Sequence, residues 1–104
     1  MDIAGGASGS PVSLLNKKSY VGALPADNTN NNYQLPSPVT YPGRMYIIRD
    51  NSSSFNAVIT TAAGSLYWGN SSAGIASITL LPSSTPKTVM AVSDGVNWTV
   101  MVQN

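Results

Sequence analysis

Asp2, Asp27, Asp50 and Asp94 are the only acidic side chains in this 104-residue chain, which has no Glu, no His and no Cys. General acid–base or glycosidase-type chemistry would need two carboxylates held close together. Asp50 and Asp94 are the pair to consider. Each, however, stands beside turn residues (Asn51-Ser52 and Gly95), where a short carboxylate binds its own backbone. Ser93-Asp94-Gly95 and the other serines have no His base, so a Ser-His-Asp arrangement is impossible. The lack of Cys removes thiol nucleophiles, disulfides and Cys-ligated zinc. A calcium loop needs several oxygens from closely spaced Asp or Glu, and four scattered Asp residues do not provide them. No catalytic residue, metal site or cofactor is expected.

Binding is the remaining chemistry. Tyr67 and Trp68 are adjacent, so on a strand they point to opposite faces and at most one can enter a core. The other, with Asn70, Ser71 and Ser72 beside it, could stack on a sugar ring and bond its hydroxyls, or contact another subunit. Gly64, Gly69 and Gly74 recur every five residues, but without Gly-Lys-Ser/Thr and a following helix they mark bends, not a phosphate loop. Lys17, Lys18, Arg44 and Arg49 read as a solvated face or as partner salt bridges. A net charge of +1 gives no field for nucleic acid.

Composition frames these residues. Only 9% of positions are charged, against roughly 25% in an ordinary soluble domain. Asn, Ser and Thr fill 33 positions instead, so the sequons at Asn51, Asn70 and Asn97 are expected by chance. No apolar run approaches the roughly 20 residues of a membrane span. The N-terminus lacks a basic start followed by an apolar stretch, so no secretory signal is read there. Low charge suits a surface occupied by neighbours, and one modest core suits stabilisation by oligomerisation.

The elements that must position these residues are strands. Residues 1–18 are rich in Gly, Ala and Ser and read as an extended arm, too Gly-rich for a strand, that docks on a partner or sister subunit through Ile3, Val12, Leu14 and Leu15. Residues 19–104 read as a β-module. Asp27–Asn32 is a polar loop, and Pro25, Pro36, Pro38 and Pro42 leave only short extended pieces at 20–21 and 33–35. Strands are predicted over 44–49, 56–61, 65–68, 75–81, 88–93 and 97–102, the first two joined by a Ser-rich hairpin. Asp94-Gly95 predicts a tight turn between the last two, and Trp98 is expected in the core. Almost no helix is expected. The fold class is all-β, a small antiparallel β-sandwich or barrel with an extended N-terminal arm.

Residues 33–102 resemble a pattern recurrent in bacteriophage fibre and spike proteins. Its parts are Tyr33-Gln34-Leu35-Pro36, then Pro42-Gly43-Arg44-Met45-Tyr46-Ile47-Ile48-Arg49-Asp50, then Ala57-Val58-Ile59-Thr60. It closes on Ser93-Asp94-Gly95-Val96-Asn97-Trp98, a structural signature of turn and core in which Asp94, Gly95, Asn97 and Trp98 carry the match. Where the family often has an Ile-Asp-Gly-like piece, this chain has Leu66-Tyr67-Trp68-Gly69. The resemblance implies a small all-β module on a phage particle, commonly trimeric, serving as head fibre, capsid decoration or tail-fibre tip. A module standing nearly alone after a short arm is suited to a shell. The expectation is a homotrimeric virion structural protein, made in the host cytoplasm and displayed on the virion surface. Its arm would contact the major capsid or another virion protein, and neither nucleic acid nor membrane insertion is expected. The alternative is a receptor-binding tip that recognises a host-surface glycan through Tyr67, Trp68, Asn70 or the 28–32 loop.

Overall fold

The computed structural model describes residues 2–103, which form ten strands in two sheets and no helix. The strands are β1 (Asp2–Ile3), β2 (Val12–Ser13), β3 (Tyr20–Ala23), β4 (Asn32–Leu35), β5 (Met45–Asp50), β6 (Ala57–Thr61), β7 (Leu66–Trp68), β8 (Ser77–Leu80), β9 (Thr88–Ser93) and β10 (Trp98–Val102). The larger sheet has the order β1-β3-β5-β9-β10-β7 and the smaller β2-β4-β6-β8. From β1 to β9 the chain therefore changes sheet after every strand.

Up to β6, each strand that returns to its own sheet after a visit to the other comes back in the same sense, whereas β8 returns beside β6 in the opposite one. Hence β1–β3, β3–β5, β2–β4 and β4–β6 are parallel, and so is β7–β10. Only β5–β9, β9–β10 and β6–β8 are antiparallel. The antiparallel expectation is corrected accordingly: period-two patterning says which residues point inward, but not which way a strand runs. A parallel pair needs a crossover, and here a strand of the opposite sheet supplies it.

The predicted Ser-rich hairpin is likewise a crossover, from β5 to β6. Asp50 Oδ1 accepts the Ser52 amide at 2.9 Å, and Ser52 Oγ accepts those of Ser54 and Phe55 at 3.0 and 2.8 Å. These bonds steer the chain off the edge of one sheet toward the other. The tight hairpin is β9–β10, at Asp94-Gly95.

The N-terminal segment differs most from expectation. It is extended, but it lies within the two sheets as β1 and β2. Gly6 and Asn32 exchange backbone bonds of 3.0 and 2.9 Å. A Cβ on Gly5 would lie 2.7 Å from Asn30 O and Asn31 Cα, and one on Gly6 would collide with Ser10 O. These glycines permit close backbone approach and do not mark a flexible linker. Leu14 is wholly buried, and Ile3 and Val12 pack against the core. Leu15 alone of the four presumed anchors stays exposed. As an external arm, residues 1–18 are corrected to part of the fold for the residues described.

Inward side chains of both sheets make one cluster, whose largest members are Trp98, Tyr33 and Tyr46, all fully buried. The Tyr46 and Trp98 rings are tilted at 57° with centroids 5.8 Å apart, a favourable aromatic geometry. Both buried tyrosines spend their hydroxyls on the N-terminal segment. Tyr33 Oη donates to Ile3 O at 2.6 Å and Tyr46 Oη to Leu14 O at 2.7 Å. Burial pushes the Tyr33 phenol up to about 12 and raises that of Tyr46, so both remain protonated donors.

The two outer faces are unlike. On the smaller sheet the outward positions are mainly Gln34, Thr60, Ser77 and Thr79. On the larger sheet, register aligns Tyr20, Ile47, Met90 and Met101 in one outward row. A second row holds Met45, Val92, Thr99 and Tyr67.

Candidate functional site

The residues of the closing motif meet the earlier parts of the same pattern. Asp94 Oδ1 accepts the amides of Val96 and Asn97 at 2.8 and 2.7 Å, and these bonds hold its carboxyl below the usual carboxylate range. Gly95 takes φ +92°, a region that favours glycine. Asn97 Oδ1 accepts the Ser65 amide at 2.9 Å, which ties the turn to the start of β7. Ser93 Oγ donates to Pro38 O at 2.7 Å, and Trp98 Nε1 donates to Pro36 O at 3.0 Å. The turn, the indole and the Leu35-Pro36 stretch thus form one interlocked unit.

Tyr67, Trp68 and Asn70 do not form a single site. Leu66 enters the core, Tyr67 points to the outer face, and Trp68 returns inward at the sheet edge, where it packs half-buried against the core. The Tyr67 hydroxyl lies over the following loop, 3.1 Å from where a Cβ of Gly74 would sit. Trp68, Gly69 and Asn70 line a shallow depression with Val100, Met101 and Val102. Trp68 and Asn70 therefore share a surface that Tyr67 does not.

The polar loop at 27–32 is largely occupied with itself. Asp27 Oδ1 accepts the amides of Asn30 and Thr29 at 2.7 and 2.8 Å, and these bonds hold its carboxyl well below the usual range. Asn31 Nδ2 donates to Asn56 O at 3.0 Å, and Asn32 Nδ2 donates to Gly6 O at 3.2 Å. Both are buried, which leaves Asn28 and Asn30 exposed.

Of the four cations of 17–49, Lys17 and Lys18 line one depression with Ile3, Asn16 and Tyr20. The Arg44 guanidinium lies 4.4 Å over the Tyr46 ring and donates to Lys17 O at 2.6 Å. Arg49 donates to Asn51 Oδ1, and Asn51 in turn donates to Asp2 Oδ1. Asp50, one of the two carboxylates considered for acid–base chemistry, is fully buried, and its Oδ2 has no hydrogen-bond partner. Burial raises its carboxyl above the ordinary value. Lys87 Nζ, which donates to Pro82 O and Ser52 O, is near enough to oppose that rise. Asp94 is exposed in its turn. Among the described residues no three His, Cys, Asp or Glu side chains gather as metal ligands. Also among them, no helix is long and apolar enough to cross a membrane.

Two features were not anticipated from sequence. The structural role of Tyr33 and Tyr46 rests on contacts about thirty residues apart. The apolar outer face of the larger sheet depends on registers between strands. Its only sequence signal was alternation in which both phases were apolar, as in Met45-Tyr46-Ile47-Ile48 and Val89-Met90-Ala91-Val92.

No family model, no curated protein and no solved structure matches this chain.

Proposed function

We propose that this chain is a structural subunit of a bacteriophage virion, a head fibre or capsid decoration displayed on the particle surface after synthesis in the host cytoplasm. In this reading its two sheets are the halves of a small β-sandwich, and copies assemble as a homotrimer. The role is stabilisation and display, without catalysis. The observation that carries the reading is the Ser93–Trp98 unit. Segments through which the sequence resembles phage fibre modules bond one another, Trp98 to Pro36 and Ser93 to Gly43 and Arg44. A charge content of 9% adds support, because charged residues are depleted where subunits meet. Contact with the major capsid protein would use the outside of the folded N-terminal segment, where Leu15 remains exposed.

The test is quantitative peptide mass spectrometry of density-purified particles of the phage that encodes the chain. Many copies per particle are expected. A chain abundant in the lysate but missing from particles would overturn the reading.

A second reading, a glycan-recognising tip, draws on the depression that Trp68 shares with Asn70. Under it, Asn70→Ala abolishes binding on a bacterial-glycan array. Under the first reading the array shows no binding to begin with.

A further inference from the structure

The smaller sheet brings three strand ends to one place. β2, β4 and β6 run parallel, so their carboxyl ends lie side by side, the end at which open α/β sheets hold their ligands. A depression of about 330 Å³ lies there, at the small end of ligand pockets. Leu15 follows β2, Gln34 and Ser37 flank the end of β4, and Ala62 follows β6. Thr40 and Tyr41 line it from the loop that leads to β5.

The frame is fixed. The Leu14 amide donates to Gln34 O at 2.8 Å and the Ala62 amide to Leu35 O at 2.9 Å, which carries the ladder past the strand ends. Pro36 is buried at the depression, and its carbonyl takes the Trp98 indole. Beyond Tyr41, Gly43 and Arg44 are bonded to the Ser93 backbone. A loop tied at both ends loses little to ordering when it binds.

The chemistry of the lining is uniform. None of these residues is charged. Among the described residues, the Gln34 side-chain amide and the hydroxyls of Ser37, Thr40 and Tyr41 have no hydrogen-bond partner. Tyr41 is 43% and Leu15 38% exposed, so an aromatic ring and an aliphatic side chain stand beside these polar groups.

The geometry points to a binding site for one ring of a neutral sugar. A charged ligand would give up its hydration and meet no opposite charge. An apolar one would cut four polar groups off from water and leave them unpaired. Sugar hydroxyls both donate and accept, as the amide and hydroxyls here require, and a C–H face of the sugar suits the electron-rich face of Tyr41. At the efficiency of drug-sized ligands, a ring of about twelve heavy atoms binds with a constant on the order of a millimolar. Washing strips such a ligand from an array, so binding must be read at equilibrium. The site is separate from the depression of Trp68 and Asn70, and the inference rests on neither reading above. A particle-bound chain that takes no sugar would sink this inference alone, and a sugar-binding chain absent from particles would sink the virion reading alone.

The experiment is an amide chemical-shift titration of the full chain with the methyl glycosides of glucose, galactose, mannose, rhamnose and N-acetylglucosamine, and with sodium glucuronate. At least one neutral glycoside should shift the amides of Gln34, Ser37, Thr40 and Tyr41 saturably, and glucuronate should not. Tyr41 is largely in water, so Tyr41→Ala keeps the fold, as the dispersion of the amide spectrum checks, and should weaken binding about tenfold. Gln34→Ala repeats the test from the other wall if Tyr41→Ala misfolds. Asn70→Ala should leave the titration unchanged. No saturable shift at these amides up to about 100 mM, roughly a hundred times the expected constant, overturns the proposal. So do shifts centred on Trp68 and Asn70, or binding indifferent to both Tyr41→Ala and Gln34→Ala.

Discussion

Trp98 Nε1 donates a 3.0 Å hydrogen bond to the carbonyl oxygen of Pro36, across 62 residues of sequence, with both groups buried. Pro36 sits just beyond β4 in the smaller sheet, and Trp98 opens β10 in the larger one. One side chain thus fills the core and links the two sheets. Trp98→Phe keeps most of the ring volume and leaves the Pro36 carbonyl unpaired. The expected loss is about 1–3 kcal/mol of unfolding free energy, read by urea denaturation. A loss within error of zero would mean that the bond contributes nothing.

The N-terminal segment makes a sharper prediction. Leu14 is wholly buried, and the Tyr46 hydroxyl is bonded to its carbonyl. Leu14→Ala should cost about 2–5 kcal/mol, as large-to-small core changes do. Deleting residues 2–16 should leave a chain with few protected amides in hydrogen exchange. A truncated chain that retains native protection in β5, β9 and β10 would show that the segment is dispensable.

Much of the fold was legible in sequence, and for definable reasons. Arg44–Arg49 and Thr88–Ser93 alternate around β-branched and aromatic residues, and β5 and β9 lie over them within a residue. Asp94-Gly95 is local turn chemistry, and the turn is where the sequence puts it. What could not be read depends on distant partners. Gly5 and Gly6 look like linker glycines until the backbone at 30–32 is seen against them. The Ser52–Phe55 stretch carries the same residues in a crossover as in a hairpin, so the sequence could not say that β5 and β6 belong to different sheets. Adjacent strand residues such as Tyr67 and Trp68 face opposite ways, but which one joins Asn70 is decided by the edge position of β7.

Acid titration should separate two kinds of carboxylate. Burial raises the Asp50 carboxyl in the folded chain, so the fold disfavours its charged form. Its stabilising contribution is complete below the ordinary carboxylate value and is lost as pH rises through the raised one. Asp27 and Asp94 are lowered by backbone hydrogen bonds. Their contributions are present above the ordinary value and are lost as pH falls toward the lowered ones. Asp50→Asn removes the first effect only. Relative to wild type, the variant should gain stability as pH rises from about 4, in urea unfolding at a series of pH values. A difference independent of pH would contradict the assignment of burial as the cause.

The hairpin turn offers a test of local conformation. Gly95 holds φ +92°, which costs a residue with a Cβ about 1–3 kcal/mol. Gly95→Ala should lower the unfolding midpoint, with its chemical-shift changes confined to the β9–β10 turn. Equal stability of the two proteins would mean that the turn relaxes to another conformation.

The central claim is that the chain is displayed on the outside of a virus particle. Its most direct test is electron microscopy of intact, purified particles labelled with a gold-conjugated antibody raised against the folded chain. Gold at regular positions on the outer surface is the result this account predicts. Intact particles that contain the capsid proteins but carry no label, with the chain left in the soluble fraction, would contradict it.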